Sequence, residues 1–195
     1  MDDVFIRRAP AAGVPDDMLL AGLGAGDSQA ARAFVRRFQS MVFGVALAVV
    51  GDHGLAEDIA QQAFERAWRH AQLYDPRRGS VRTWLTRIVH NLAIDASRVR
   101  RPTPLDPQDL LPLMTALTDS PDRQALAHET ATQLRTALAT LPPEQARAVV
   151  AAAHGLTAPE IANAENIPVG TAKSRIYAAL TKLHAVLPSP RADHD

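Results

Sequence analysis

Apolar residues recur at spacings of three and four along almost the whole of this 195-residue chain, and alternating, strand-like segments are nearly absent. That period lines one face of an α-helix, so the pattern predicts an all-α protein. Residues 17–23 and 28–50 read as two helices. In the second, Ala31, Phe34, Phe38, Met41, Val42, Val45 and Val49 form a stripe expected to be buried, with Asp27 or Ser28 as N-cap. The sequence Gly51-Asp52-His53-Gly54 ends this helix and starts another. There Leu55, Ile59, Ala63 and Ala67 form a ladder, Phe64 and Trp68 extend it on one side, and Asp58, Gln61, Gln62 and Glu65 lie outside it. Residues 74–80 form a loop around Pro76 and Gly79. Ser80 can cap the helix that follows, on which Val81, Trp84, Leu85, Ile88, Leu92 and Asp95 keep helical spacing to about Arg100.

Residues 102–121 hold five Pro and three Asp with no sustained period, the composition of a linker. Leu110, Leu111, Leu113 and Met114 are more apolar than an idle linker needs, so this segment either docks on something or forms a short helix. A second domain is expected from Asp122. Leu126, Leu134, Leu138 and Leu141 mark its first helix, and Pro142-Pro143-Glu144 opens the next, which ends at Gly155. Thr157-Ala158-Pro159-Glu160 is a capping box for a short helix over 158–165, Asn166-Ile167-Pro168 is a turn, and a last helix runs from Val169 to Val186. The chain thus divides into an N-terminal segment 1–15 expected to be disordered, two small helical domains at 16–101 and 122–187 joined by a flexible linker at 102–121, and a tail 188–195 too short for a further regulatory domain.

Composition narrows the chemistry. With no Cys, disulfides, Cys-ligated zinc and a thiol nucleophile are excluded. His53, His70, His90, His128, His154 and His184 are scattered without paired Glu/His spacing, so neither a metal site nor a cofactor nor an enzyme active site is expected. No run of about 18 apolar residues predicts a membrane span or membrane contact. The N-terminus lacks the basic head and apolar stretch of a signal peptide, so the expected compartment is the cytoplasm. Net charge is zero, but residues 66–101 carry nine Arg against Asp75 and Asp95, a local +7. A local field of that size steers a polyanion whatever the total charge.

The pair of helices at 157–165 and 168–184 reads as a helix-turn-helix. Ile161, Ala162, Ile167, Val169, Ala172, Ile176 and Leu180 are expected to form its core. Thr171, Lys173, Ser174, Arg175 and Tyr177 would face outward near the start of the second helix, where a recognition helix meets base edges and phosphates.

Taken together, GDHGLAEDIAQQAFERAWRHAQLYDPRRGSVRTWLTRIVHNLAIDASRVRR resembles region 2, and LRTALATLPPEQARAVVAAAHGLTAPEIANAENIPVGTAKSRIYAALTKL resembles region 4, of the small extracytoplasmic-function (ECF) sigma factors of the sigma-70 family. The order of the two motifs, with a Pro-rich linker and no region 3 between them, is more specific than either motif alone. The resemblance implies a factor that binds core RNA polymerase and directs initiation at chosen promoters. It implies polymerase docking through Glu57, Asp58, Gln61, Gln62, Phe64, Glu65 and Trp68. It implies capture of the melted minus-ten element through Arg77, Arg78, Arg82, Trp84, Arg87, Asn91 and Arg98, with Asn91 at the base-reading position. Duplex reading of the minus-thirty-five element falls to Thr171, Lys173, Ser174, Arg175 and Tyr177. An anti-sigma protein is the further partner it implies.

One departure stands out. Where relatives carry further Arg after Ser174-Arg175, this chain has Ile176-Tyr177-Ala178-Ala179, and only Lys173, Arg175 and Lys182 are basic from 168 to 184. Each missing phosphate contact removes about one unit from the salt slope, so duplex binding by this domain alone should be weak. Two other readings compete. A conventional helix-turn-helix regulator would bind operator duplex without polymerase, and a sigma-like decoy would only titrate an anti-sigma protein. The docking helix argues against the first, and Asn91 with its neighbouring Arg residues argues against the second.

Overall fold

The computed structural model describes residues 13–99, 133 and 136–186. Expectations for residues 1–12, for Arg100 and Arg101, for the linker, for Leu126 and Leu134, and for the tail fall outside them. Among the described residues the chain is helical and contains no strand. The helices are α1 (Asp16–Gly24), α2 (Ser28–Val50), α3 (His53–His70), α4 (Val81–Val99), α5 (Pro143–Ala153), α6 (Ala158–Glu165) and α7 (Val169–Val186).

Local signals set these boundaries. The Asp27 carboxylate accepts from the backbone N–H of Gln29 and Ala30 at the start of α2. Gly51 ends that helix at φ 66°, a left-handed conformation that costs glycine little. Asp52 then caps α3 by accepting from Leu55 N–H at 2.8 Å. Two 3₁₀ turns, Ala71–Leu73 and Pro76–Arg78, lie between α3 and α4, the second inside the segment expected to be a simple loop. Ser80 Oγ accepts from Thr83 N–H at 3.1 Å and caps α4. Asn166 ends α6 at φ 55°, an αL position that Asn tolerates better than most side chains.

Helices α1 to α4 close around Phe34, Phe38, Met41, Ile59 and Leu85, all fully or almost fully buried. The Phe34 and Phe38 rings pack at a tilt of 51° with centroids 4.8 Å apart, and Phe64 meets Phe34 edge-on at 6.2 Å. The sequence pattern gives α2 one apolar stripe, but Val45 through Val50 are all buried. The reason is a second neighbour. Helices α3 and α4 cover one side of this last stretch, and α5 also packs on α2. Leu138, Leu141, Val149, Val150, Ala179 and Leu183 accordingly share one continuous core with the first domain. Helix α2 is long and apolar enough to cross a membrane by length and composition, yet 67% of its most apolar window is buried against the rest of the chain. A core helix meets the same criterion.

The helix-turn-helix has its own smaller core of Ala148, Ala151, Leu156, Ile161, Ala162 and Ala172, with Ile167 and Ile176 packed at its edge. Two expected core positions are corrected. Val169 and Leu180 are 40% and 44% exposed. Ala179 and Leu183 take the inward positions instead, because α7 is pulled by α5 as well as by α6.

Candidate nucleic-acid interface

On α3 the ladder of Ile59, Ala63 and Ala67 faces inward and leaves a polar face outside. Glu57, Asp58, Gln61 and Gln62 are exposed on it, and Glu65 is half-buried. The two aromatic residues of this helix part company. Phe64 rests half-buried on Phe34, whereas Trp68 is 56% exposed. With Leu23, Gly26 and Ala31, these α3 side chains line a mostly apolar groove of about 470 Å³ beside Gln61 and Glu65. An exposed indole at the edge of such a groove, ringed by amides and carboxylates, has the make-up of a protein-docking surface.

Helix α4 carries the basic block. Arg77 and Arg78 are exposed on the 3₁₀ turn before it, Arg77 lying 3.4 Å from Asp75. Arg82 places its guanidinium 5.9 Å from the Phe38 ring centroid. Trp84 is half-buried against Tyr74, with ring centroids 5.9 Å apart, so it serves packing as well as surface. Asn91 is exposed, and Asp95 sits 3.5 Å from Arg98 on the same helix.

The remaining face of α4 is covered, which the apolar pattern did not foretell. Thr83, Arg87, His90, Ile94 and Arg98 follow at i, i+4, i+7, i+11 and i+15, a single stripe. Four of these meet the second domain. Gly155 packs so closely on Thr83 that a side chain there would collide with its hydroxyl. Arg87 donates to the Glu160 carboxylate of α6. His90 is wholly buried with Nε2 3.8 Å from Glu165 Oε1. Arg98 donates to the Ala164 carbonyl at 2.9 Å.

Helix α6 is thus an acidic wedge with cations on both sides. Glu160 reaches back to the Thr157 backbone N–H at 2.8 Å, as a capping box requires. Burial works against its charge, but the Thr157 N–H and hydroxyl and the Arg87 guanidinium prevail and hold its carboxyl below the ordinary value. Glu165 has a side chain only 3% exposed and faces Arg175 at 2.6 Å and Arg147 at 3.6 Å. Burial, with Arg147 nearby, pushes His90 down to about 4. Burial likewise pushes His154 down to about 4, with Arg82 nearby. Both imidazoles are therefore neutral at pH 7.

On α7, Lys173, Ser174 and Tyr177 are exposed and Thr171 is half-buried, but Arg175 does not face outward freely as expected. It turns back to Glu165, because a buried carboxylate holds a guanidinium more firmly than water does. Tyr177 is 75% exposed.

Known proteins show the same arrangement of parts. Residues 34–103 match the family described as Sigma-70 region 2, and residues 131–183 match Sigma-70, region 4. The chain is 38% identical over 129 residues to the ECF RNA polymerase sigma factor RpoE of Cereibacter sphaeroides, spanning 66% of this chain and 70% of that one. The chain belongs to the ECF sigma factors. This sigma factor is also 31% identical over 160 residues to the ECF RNA polymerase sigma factor SigE of Mycolicibacterium smegmatis, across 78% of its own length and 60% of the relative's. Among solved structures, CnrH in complex with the cytosolic domain of CnrY shares the fold, with a TM-score of 0.52 at 24% identity over 87% of this chain and 95% of that one.

Sequence reasoning about the sigma factor missed His90, Glu160 and Glu165 as partners of α4. Glu160 had a sufficient local explanation as a cap, and Glu165 sits on a helix too short to show a period. The one available signal was the second stripe on α4, in which Arg87 and Arg98 occupy helical register with His90.

Proposed function

We propose that this sigma factor docks on core RNA polymerase through the exposed face of α3, with Trp68 as the anchor and Glu57, Asp58, Gln61, Gln62, Phe64 and Glu65 around it. The polymerase then presents the promoter. Arg77, Arg78, Arg82, Arg87 and Arg98 hold the backbone of the melted minus-ten strand, Trp84 supplies an apolar wall, and Asn91 reads an extruded base. Lys173, Ser174, Thr171, Tyr177 and Arg175 meet the minus-thirty-five duplex from α7. The chain contributes recognition and leaves catalysis to the polymerase, inside the cell where the polymerase works. An anti-sigma protein is a further proposed partner.

The observation that supports this reading is that an exposed Trp68 on α3 and the arginines of α4 belong to one helical bundle. A conventional operator-binding regulator needs only the second domain. The test is gel filtration of the full chain with core polymerase, beside a duplex-binding titration of the chain alone. A one-to-one complex with core and weak duplex binding by the free chain support the sigma reading. Tight operator binding with no core complex supports the regulator.

A further inference from the structure

Lys173 and Lys182 are the only lysines in the chain, and every other permanently cationic side chain is an arginine. Both lysines are exposed on α7. The basic block over residues 66–101, which holds the cations proposed for minus-ten capture, is built of arginine throughout. The two side chains differ in chemistry as well as shape. A guanidinium stays protonated and is no nucleophile, whereas an ε-ammonium yields a nucleophilic amine and is a target of acylation. The sequence thus confines side-chain amine chemistry to one helix, the one proposed to read duplex DNA.

The two lysines are not equivalent. They are nine residues apart, two and a half turns at about 3.6 residues per turn, so they lie on opposite sides of α7. Lys173 shares its side with Tyr177, one turn further on and 75% exposed. The other groups near it are already engaged. Arg175 is held by Glu165 at 2.6 Å, and Ser174 donates its hydroxyl to the Thr171 carbonyl at 2.9 Å. Neither lysine has a carboxylate partner among the described residues. The charge that α7 offers to phosphate beside Tyr177 is therefore carried by Lys173.

We propose that Lys173 is an acylation site, and that its modification by an acyl phosphate switches off duplex reading while polymerase docking and minus-ten capture persist. This rests on the sigma-factor reading. In the step, the unprotonated Nζ attacks the acyl carbonyl carbon. A C–N bond forms, the C–O bond to the phosphate breaks, inorganic phosphate leaves with the electron pair, and the surplus proton of the amine passes to water. The product is a neutral amide with one N–H left and no charge for a phosphate. One lost phosphate contact makes the salt slope shallower by about 0.9, which amounts to about fivefold in duplex affinity at about 0.15 M salt. A helix with so few cations has little to offset that loss. The docking face of α3 and the arginines of α4 present no side-chain amine to the acyl donor.

The experiment treats the free full chain with acetyl phosphate, removes the reagent and adds untreated core polymerase. Run-off transcription follows, at limiting holoenzyme, on promoters that the untreated wild type selects from a genomic-fragment library. Peptide mass spectrometry reports the occupancy of each lysine. Wild type acylated at Lys173 should initiate about fivefold less at about 0.15 M salt than its untreated form, with core binding unchanged. Treated Lys182→Arg should lose the same factor. Lys173→Arg keeps the charge and offers no amine, so treatment should cost it nothing relative to its own untreated form. Holoenzyme binding to the single-stranded minus-ten segment of the same promoters should not change. Equal losses in wild type and Lys173→Arg, full initiation by wild type modified at Lys173, a matching loss on the single strand, or a Lys173 that the reagent leaves unmodified each overturn the proposal. Absence of initiation by untreated wild type overturns the sigma-factor reading instead.

A second measurement needs no reagent. Lys173→Gln removes the same charge, so holoenzyme binding to the promoter duplex should show a salt slope shallower by about one unit, and Lys182→Gln should leave the slope where it is. Equal changes in the two variants, or none in Lys173→Gln, overturn the proposal.

Discussion

Glu165 of α6 accepts a 2.6 Å hydrogen bond from Arg175 of α7 while its own side chain is almost fully buried. A carboxylate in that position is tolerable only because Arg175 and Arg147 both face it. Its removal leaves two guanidinium groups without their counter-charge. Glu165→Ala should therefore lower the unfolding free energy by about 3 kcal/mol, at the lower end for a broken buried pair because both arginines reach some water. Urea unfolding checks this, and a loss under about 1 kcal/mol would show that the cluster contributes little.

His90 and His154 give the fold a pH dependence of known sign. Each is buried neutral and held down to about 4, below the ordinary 6.5. Unfolding releases both to that ordinary value, so the unfolded chain binds more protons between the two values. The stability they contribute is complete above pH 6.5 and is lost as pH falls toward 4, at up to about 1.4 kcal/mol per pH unit for each. The urea midpoint should fall between about pH 7.5 and about pH 5, and the fall should be smaller in a His90→Gln, His154→Gln variant. Identical pH slopes for the two proteins would remove the histidines as the cause.

The two aromatic residues of α3 should separate binding from stability. Trp68 is exposed, so Trp68→Ala should weaken the complex with core polymerase at least tenfold with the melting temperature nearly unchanged. Phe64 packs on Phe34, so Phe64→Ala should lower stability by about 2–4 kcal/mol. Calorimetry and core-binding titrations on both variants check the pair. A large melting change in Trp68→Ala would mean the indole belongs to the core.

Salt dependence should expose the poverty of α7. With Lys173, Lys182 and an Arg175 already engaged by Glu165, duplex binding by the free chain should show a salt slope no steeper than about −3. A titration between low and physiological salt measures it, and a slope steeper than about −5 would place additional cations on the duplex.

Much of this was legible in the chain itself. Local rules sufficed for Asp27 at the start of α2, Ser80 at the start of α4 and the capping box at Thr157, because each cap is a contact within three residues. The one-sided stripe on α2 failed at Val45 to Val50, where a helix distant in sequence covers the other side. Leu180 was misplaced for a related reason: a helix with two neighbours turns to suit both, and periodicity reports only one. The proposed docking and DNA-facing residues rest on the resemblance, which carries a role where no local pattern does. The interdomain ion pairs were not legible, since Arg87 and Glu160 are 73 residues apart and no local pattern joins them.

The most direct test of the account is run-off transcription on a genomic-fragment library, with core polymerase plus either wild type or Asn91→Ala. The account predicts defined start sites with wild type, and at those sites a loss of about tenfold with Asn91→Ala, consistent with one lost base contact worth about 1–3 kcal/mol, while core binding is unchanged. Start sites that Asn91→Ala leaves at full strength would contradict the assignment of promoter reading to α4, and the absence of any defined start with wild type would contradict the sigma-factor mechanism itself.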